Sequence, residues 1–450
     1  MFLLNQEDFK KIARGIFYVF IATFPVLMYR GFIFNGTSTR AMNLILLTGI
    51  MAVFFGFLMF KKENRLSVAK SPITISLFVL LVTLFISSYL GVDFVASFWS
   101  KITRMSGLYY FIHLGLFYFF VMMLFKEELS MRKFIKVFVI SAVITSLGSL
   151  LSKDGFGLIF ANREWNAFTL GNSTFAAMYF FSAFILSIYL VLSTEKASRK
   201  WLHYLLPVAL AINPYFIEFT LWTGKVNLLQ NPLGFIGSAQ ASTFALIASL
   251  FLMTSALAVS KIKSVRVRKG LIWGIVASGA IVMSFVFYSL LSSDGFIQKA
   301  YLEKATGARP IVWSLSKSAI SEKPLFGWGV DNLDRAYEAH YDNTVMEQAN
   351  GGEAWFDRAH NIFIDQGVET GYVGLIVYML VYLSIIGSML YVIFKSDDKN
   401  DKTLATLIII YFVCHLLELQ TAFDTTISYV PITIFAALGS LVFHKTYKNI

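Results

Sequence analysis

Runs of about 20 mostly apolar residues, each bounded by charge or by turn residues, recur along the whole chain, and such a run is what a helix needs to cross a bilayer. Twelve are found, near Ile12 to Ile33, Ala41 to Phe60, Pro72 to Leu90, Leu108 to Phe125, Phe134 to Leu151, Thr174 to Ser193, Trp201 to Trp222, Ala241 to Ser260, Leu271 to Leu291, Val373 to Phe394, Thr403 to Leu419 and Ser428 to His444. They predict an all-α integral membrane protein with about twelve transmembrane helices. The first run follows Lys10, Lys11 and Arg14, has no small-residue cleavage site after it and is followed by further spans, so it reads as a retained helix rather than a cleaved signal peptide. Between the ninth and tenth runs lies one long connection, residues 292–372. It carries Trp313, Trp328 and Trp355, glycine punctuation at Gly327, Gly329, Gly351 and Gly352, and apolar residues at helical spacing such as Ile311, Leu315 and Ala319. The spacing predicts short helices lying at the membrane surface.

Composition agrees with this pattern. The chain is 57% apolar and 14% charged, against about 45–50% and about 25% for soluble domains. Length alone would suggest several soluble domains, but the apolar content is continuous, so residues 1–450 are read as one polytopic membrane domain. The single Cys414 excludes a disulfide framework and a cysteine-based metal site.

The net charge of +11 could suggest nucleic acid as a partner, and its distribution removes that reading. Of the 38 basic residues, 24 fall at the N-terminus, the C-terminus or every second loop, including Lys61, Lys62, Arg65 and Lys70, Lys126 to Lys136, Lys261 to Lys269 and Lys395 to Lys402. Positive loops mark the cytoplasmic side. Both termini are therefore expected in the cytoplasm, and the 292–372 loop on the external face of the membrane. The external face is net acidic, which makes its few arginines conspicuous.

Four external segments carry candidate chemistry. The first is Thr103-Arg104-Met105-Ser106-Gly107-Leu108, where an arginine beside aromatic residues also fits an interfacial anchor. The second is Arg163 followed by Gly171-Asn172 at a helix start. An arginine and free N–H groups could hold a phosphate there, and a plain N-capping turn fits equally. The third is Arg309-Pro310-Ile311-Val312-Trp313, with Pro-Leu-Phe-Gly-Trp-Gly at 324–329. Pro310 suits a first helical turn, which leaves Arg309 at the positive end of the dipole, where a bound anion would relieve it. The fourth is Asp357-Arg358-Ala359-His360-Asn361, leading through Asp365 to Glu369-Thr370-Gly371-Tyr372-Val373-Gly374. His360 lacks a second histidine at metal spacing, so a zinc site is not expected, and its ordinary pKa suits a general base.

In the order of these motifs the chain resembles the O-antigen ligase and polymerase family of bacterial cell-envelope glycosyltransferases. The most specific stretch is Arg309 to Gly374, with Arg-x-x-x-Trp, Pro-Leu-x-Gly-Trp-Gly and Ala-His-Asn-x-x-x-Asp…Glu-x-Gly-x-x-Gly in family order. Arg104 is similar to the family's Arg-Met-x-Gly-Leu segment, Arg163 through Asn172 to its arginine before a Gly-Asn turn, and Phe423-Asp424-Thr425 to its last turn. Two departures are seen: Ser173-Thr174 replace the usual proline, and Gly237-Ser238-Ala239-Gln240 lacks the usual arginine, leaving Gln240 or Lys225 in its place.

The resemblance implies a GT-C-type membrane glycosyltransferase. It would move a glycan from an undecaprenyl-diphosphate carrier, with no required metal ion or other cofactor, to an acceptor hydroxyl on a glycolipid, a growing glycan or a protein. It assigns His360 as catalytic, Arg163, Arg309 and Arg104 to the diphosphate, and Asn361, Asp357 and Gln240 to support. A lipid-linked-glycan transporter or flippase is the rival from another class. Such proteins place ionisable residues at midplane depth, whereas here only His113, His203, Glu218, His415 and Glu418 fall within the runs, mostly near their ends. A purely structural membrane protein would not need arginine and histidine in a long aromatic-rich loop.

Overall fold

The computed structural model describes residues 6–27, 36–59, 71–152, 169–193, 197–217, 238–264, 266–271, 273–274, 277, 309–341, 343, 347 and 355–448. The described residues are helical and contain no strand. In chain order the helices are α1 (Gln6–Thr23), α2 (Gly36–Met59), α3 (Pro72–Leu90), α4 (Phe94–Trp99), α5 (Leu108–Leu124), α6 (Glu128–Leu151), α7 (Ser173–Leu192), α8 (Ala197–Ala211), α9 (Gln240–Ser260), α10 (Arg309–Glu322), α11 (Leu333–Ala339), α12 (Ile362–Lys395), α13 (Lys399–Glu418) and α14 (Thr426–Lys448).

Eight of these, α2, α3, α6, α7, α9, α12, α13 and α14, are long and apolar enough to cross a membrane. The expected twelve also included α1, whose first turns carry charge, α5 at 17 residues, α8 at 15, and Leu271 to Leu291, most of which lies outside the described residues. Helix α8 differs from the apolar run it was read from. It stops at Ala211, well before Trp222, because Pro214 disfavours helix at Asn213. The Asn213 side chain then accepts from the Tyr215 N–H at 3.1 Å and donates to Ser146 at 2.9 Å.

Helix starts follow local chemistry. Ser71 accepts from the Thr74 N–H ahead of Pro72, and Asp93, Asn172, Asn361 and Asp398 cap α4, α7, α12 and α13. In the bundle α7 and α14 are the most enclosed spans, while α3 and α9 keep one apolar side exposed, with Phe78, Phe85 and Phe251 pointing outward. Burial of apolar surface does not distinguish a neighbouring helix from lipid, so hydroxyl contacts and close packing join the spans. Ser71, Thr74, Tyr118 and Ser440 form one such knot, and Ser76 meets Ser384 at 2.7 Å.

The two ends of the bundle differ. At one, Arg14 donates to the Leu124 carbonyl at 2.7 Å and pairs with Glu127, and Lys445 pairs with Asp398 and Asp401. At the other, the α3–α5 connection, residues 324–333, 355–361 and 419–425 converge. Helices α10 and α11 cover this second end with a small core of their own, built from Val312, Trp313, Trp328, Leu333, Tyr337 and Phe356. The apolar spacing on α10 is used as expected, since Ala319 is buried in that core and Ile311 and Leu315 pack against it.

Candidate functional site

The tenth apolar run is part of a broken helix. α12 starts at Ile362, and inside it Gly371 has φ +65° and ψ −171°, a conformation essentially reserved for glycine. A helix broken inside a bundle leaves carbonyls and N–H groups without helical partners. Here the Pro-Leu-Phe-Gly-Trp-Gly segment supplies them. The N–H groups of Trp328 and Gly329 donate to the Val368 and Glu369 carbonyls at 2.8 and 2.9 Å. Beyond the break, the N–H groups of Tyr372 and Val373 donate to the Pro324 and Leu325 carbonyls at 2.7 and 3.2 Å. The crossing is so close that a Cβ on Gly327, itself at φ +70°, would lie 2.5 Å from the Glu369 backbone. Ser87 of α3 donates into the same crossing, to the Phe326 and Glu369 carbonyls. Two of the recognised motifs thus form one backbone splice between cap and span.

The splice presents residues 355–361. Asn361 caps α12, its Oδ1 accepting from Phe363 at 3.0 Å, and its Nδ2 donates to the Gln420 carbonyl at 3.1 Å. His360 takes φ +57°, and its ring stands edge-on to Phe356 and Phe423, with centroids 6.1 and 5.0 Å apart. The imidazole is half-buried. Phe423 is a shared wall, because the Arg104 guanidinium lies over the same ring at 5.1 Å and Phe175 of α7 meets it at 5.5 Å.

Arg104 grips Asp357 with a two-pronged bond, Nε and Nη2 donating to the two carboxylate oxygens at 2.7 and 2.8 Å. Burial of Asp357 favours its neutral form, but the hydrogen bonds and charge of Arg104, aided by Arg358 and Lys101, outweigh it and hold the carboxyl below the usual range. Lys101 pairs with Asp334 and lies over the Trp355 ring at 5.1 Å.

Beneath His360 lies an ionic cluster centred on Arg358. This arginine is buried, bonded to Asp331 at 2.5 Å and to Glu369, with Ser106 at 3.3 Å. Burial disfavours its charge, but Glu369 and Asp331 raise its pKa well above an ordinary arginine's. Asp331, at φ +59°, also accepts from the Ser100 hydroxyl, and Asp365 accepts from the Ala359 N–H at 2.6 Å. Sequence reasoning did not single out Arg358 or Asp331. The available signal was an arginine two residues before the histidine, beside a Glu-x-Gly motif that needed a cation.

Of the other candidates, Arg163 lies outside the described residues, as does Lys225, while the Gly171-Asn172 turn after Arg163 is seen to cap α7, Asn172 accepting from Thr174 at 2.8 Å. Arg309 and Pro310 open α10 as the motif implied. The start of that helix sits beside the histidine segment, because Trp313 donates from Nε1 to the Ala359 carbonyl at 2.8 Å. Gln240 is the exposed first residue of α9. The structure therefore brings His360 and Arg104 to Phe423, with Asp357 held by Arg104, Asn361 beside the histidine and the start of α10 close by.

A polar cavity lined by Ser106, Arg358, Asp365, Gln366, Glu369 and Asp424 lies under this cluster. It shares Gln366, Asp424 and Tyr429 with an apolar groove of about 370 Å³ that descends between α3, α5, α12 and α14.

Comparison with known proteins agrees with the motifs. A curated protein of Haemophilus influenzae (strain ATCC 51907 / DSM 11121 / KW20 / Rd), described as an uncharacterized protein, is 29% identical over 133 residues, which are 29% of this chain and 32% of that protein. The chain thus spans about a third of the length of the curated relative it matches. Residues 232–379, which include α10, the splice, the ionic cluster and His360, match the family model described as O-antigen ligase, and this match supports the family resemblance carried by the motifs.

Proposed function

We propose that the protein transfers a glycan from a polyprenyl diphosphate carrier, undecaprenyl diphosphate, to an acceptor hydroxyl at the external membrane face. In this step the acceptor oxygen forms a bond to the anomeric carbon, the bond from that carbon to the diphosphate oxygen breaks, and the polyprenyl diphosphate leaves with the bonding pair. His360, in its neutral form, takes the hydroxyl proton. Arg163 and Arg309 meet the charge that grows on the leaving diphosphate. Arg104 orients Asp357 beside the histidine and keeps further N–H donors for the same anion. Asn361 sets the entry of α12, and Gln240 adds hydrogen bonds without charge. No metal ion takes part in this reading.

The observation that carries the reading is that His360, in the segment matched to the O-antigen ligase family, shares the Phe423 wall with Arg104, which holds Asp357. The apolar groove that opens beside the polar cavity offers the carrier's hydrocarbon chain a path from the bilayer. Ligation to a glycolipid is preferred, with polymerisation and transfer to protein differing only in the acceptor.

His360→Ala should fold and lower transfer by about 10²–10⁴-fold, the usual worth of a general base. Wild-type turnover of the purified variant would remove the histidine from the mechanism. Arg309→Lys keeps the charge but loses the planar fork, so a large loss is expected there as well. Glycan analysis after deletion separates the acceptors. Long polymer left on the carrier marks a ligase or protein transferase, and its absence marks a polymerase. Transport in proteoliposomes without covalent transfer would favour the flippase instead.

A further inference from the structure

We infer that Arg358 is a positioning residue for His360, fixing the direction of the imidazole from below without itself meeting the donor. The inference rests on the reading of His360 as general base. Its first support is where the guanidinium spends its donors: Asp331, Glu369, the Ser106 hydroxyl and the Asp357 carbonyl, all of them protein groups. A buried arginine between two buried carboxylates is weak evidence of stabilisation, since desolvation offsets most of the attraction and well-packed apolar residues often do as well. What this cluster adds is placement. Asp331 comes from the turn after the Gly-Trp-Gly segment and Glu369 from the last turn before the break at Gly371, so one side chain ties both halves of the splice to the residue two before His360.

The second support is the backbone of the histidine. A left-handed φ of +57° at a non-glycine residue is strained and persists only where the surroundings over-determine it. Those surroundings are visible on each side. Asp357 is held by Arg104, the Ala359 N–H by Asp365, the Ala359 carbonyl by Trp313, and Asn361 by Gln420 and the start of α12. With its neighbours fixed in this way, the imidazole has one orientation, edge-on to Phe356 and Phe423. Loss of Arg358 removes the tie from this segment to Asp331 and Glu369, leaving the other bonds to hold it to the splice, and lets that orientation spread.

The test is a double-mutant cycle on the full-length protein in detergent. Turnover is read as release of polyprenyl diphosphate from a labelled undecaprenyl-diphosphate oligosaccharide, with the glycolipid fraction of the producing membranes as acceptor. Arg358→Lys should lower kcat by about 10²-fold, the scale of a displaced catalytic group, with the donor KM within about 2-fold of wild type. In the His360→Ala background the same change should cost nothing further. An equal factor in both backgrounds would overturn the inference, because Arg358 would then act independently of the histidine. A raised donor KM at unchanged kcat would also overturn it, by making Arg358 a donor ligand. Full activity of His360→Ala alone would instead sink the catalytic reading, and this inference with it. Should Arg358→Lys not fold, Asp331→Asn leaves Glu369 to hold the guanidinium. It is expected to lose about 10-fold in kcat through the same coupling to His360, and a full loss in the His360→Ala background would decide against the inference.

Discussion

Gly371→Ala should uncouple the cap from the membrane bundle, and the structure sets the scale of the damage. The glycine conformation is in a region that costs an L-residue about 1–3 kcal/mol. An added Cβ would stand 2.4 Å from the carbonyl carbon and oxygen of Leu325 and 2.7 Å from the Phe326 nitrogen, all backbone atoms that no rotamer change can move. The crossing must open, and it carries the four backbone hydrogen bonds from Trp328, Gly329, Tyr372 and Val373. Each contributes about 0.5–1.5 kcal/mol, so strain plus the loss of two of them comes to about 2–6 kcal/mol. That is a large share of the roughly 5–15 kcal/mol that typically separates folded from unfolded chains. The control lies in the same helix, since a Cβ on Gly387 meets nothing within 4 Å. Gly387→Ala should be neutral or slightly stabilising, as alanine is the better helix former by about 1 kcal/mol. Thermal unfolding of both purified variants in one detergent is the assay, with transfer activity measured alongside. Coincident melting of the two alanine variants would refute the claim that the glycine break is what joins cap and span.

Two further outcomes follow from the same geometry. Trp328→Phe leaves a smaller ring in the cap core and removes the Nε1–H bond to the Ala319 carbonyl at 2.9 Å, which then keeps only the Lys323 N–H at 3.2 Å. The lost bond and the smaller ring together should cost about 1–3 kcal/mol, visible as faster hydrogen exchange in α10, and unchanged exchange would mean that the Trp328 bond does not help to hold that helix. Asp357 has a folded pKa below its unfolded value, so the stability it contributes is fully present above about pH 4 and is lost as pH falls through the lower folded pKa. Melting curves between pH 3 and pH 7 should therefore be steeper at the acid end for the wild type than for Asp357→Asn. Parallel curves would show that Arg104 does not hold that carboxylate.

Much of this was readable from residue order. The run Pro72 to Leu90 coincides with α3, and Asn361 caps α12 as a short polar residue before an apolar run should. The Arg-x-x-x-Trp and Ala-His-Asn elements proved to be neighbours, because Trp313 binds the carbonyl beside His360. The run Trp201 to Trp222 misled because hydropathy averages over the Asn213-Pro214 step that ends α8. Arg358 escaped notice for a different reason. Its partners Asp331 and Glu369 lie 27 and 11 residues away, and nothing in local spacing shows that a broken helix and a glycine turn bring them to one guanidinium.

The ionisable residues within the spans bear on the choice between enzyme and transporter. His415, one of the few, is buried at the last turn of α13, with Nδ1 3.4 Å from Glu418 and Nε2 3.2 Å from Asp424, and Asp424 accepts from Ser428 at 2.7 Å. His113 meets Thr48 at 2.6 Å. His415, Glu418 and Asp424 are spent on one another, and this cluster sits under the α13–α14 turn that also carries Phe423, the wall shared by His360 and Arg104. A transport path would string such residues through the midplane, between elements free to move apart. Here the His415 group braces the turn on which the candidate site rests, and among the described residues it joins Arg104, Asp357 and His360 at the same end of the bundle, the arrangement that the proposed transfer from a lipid-borne carrier calls for.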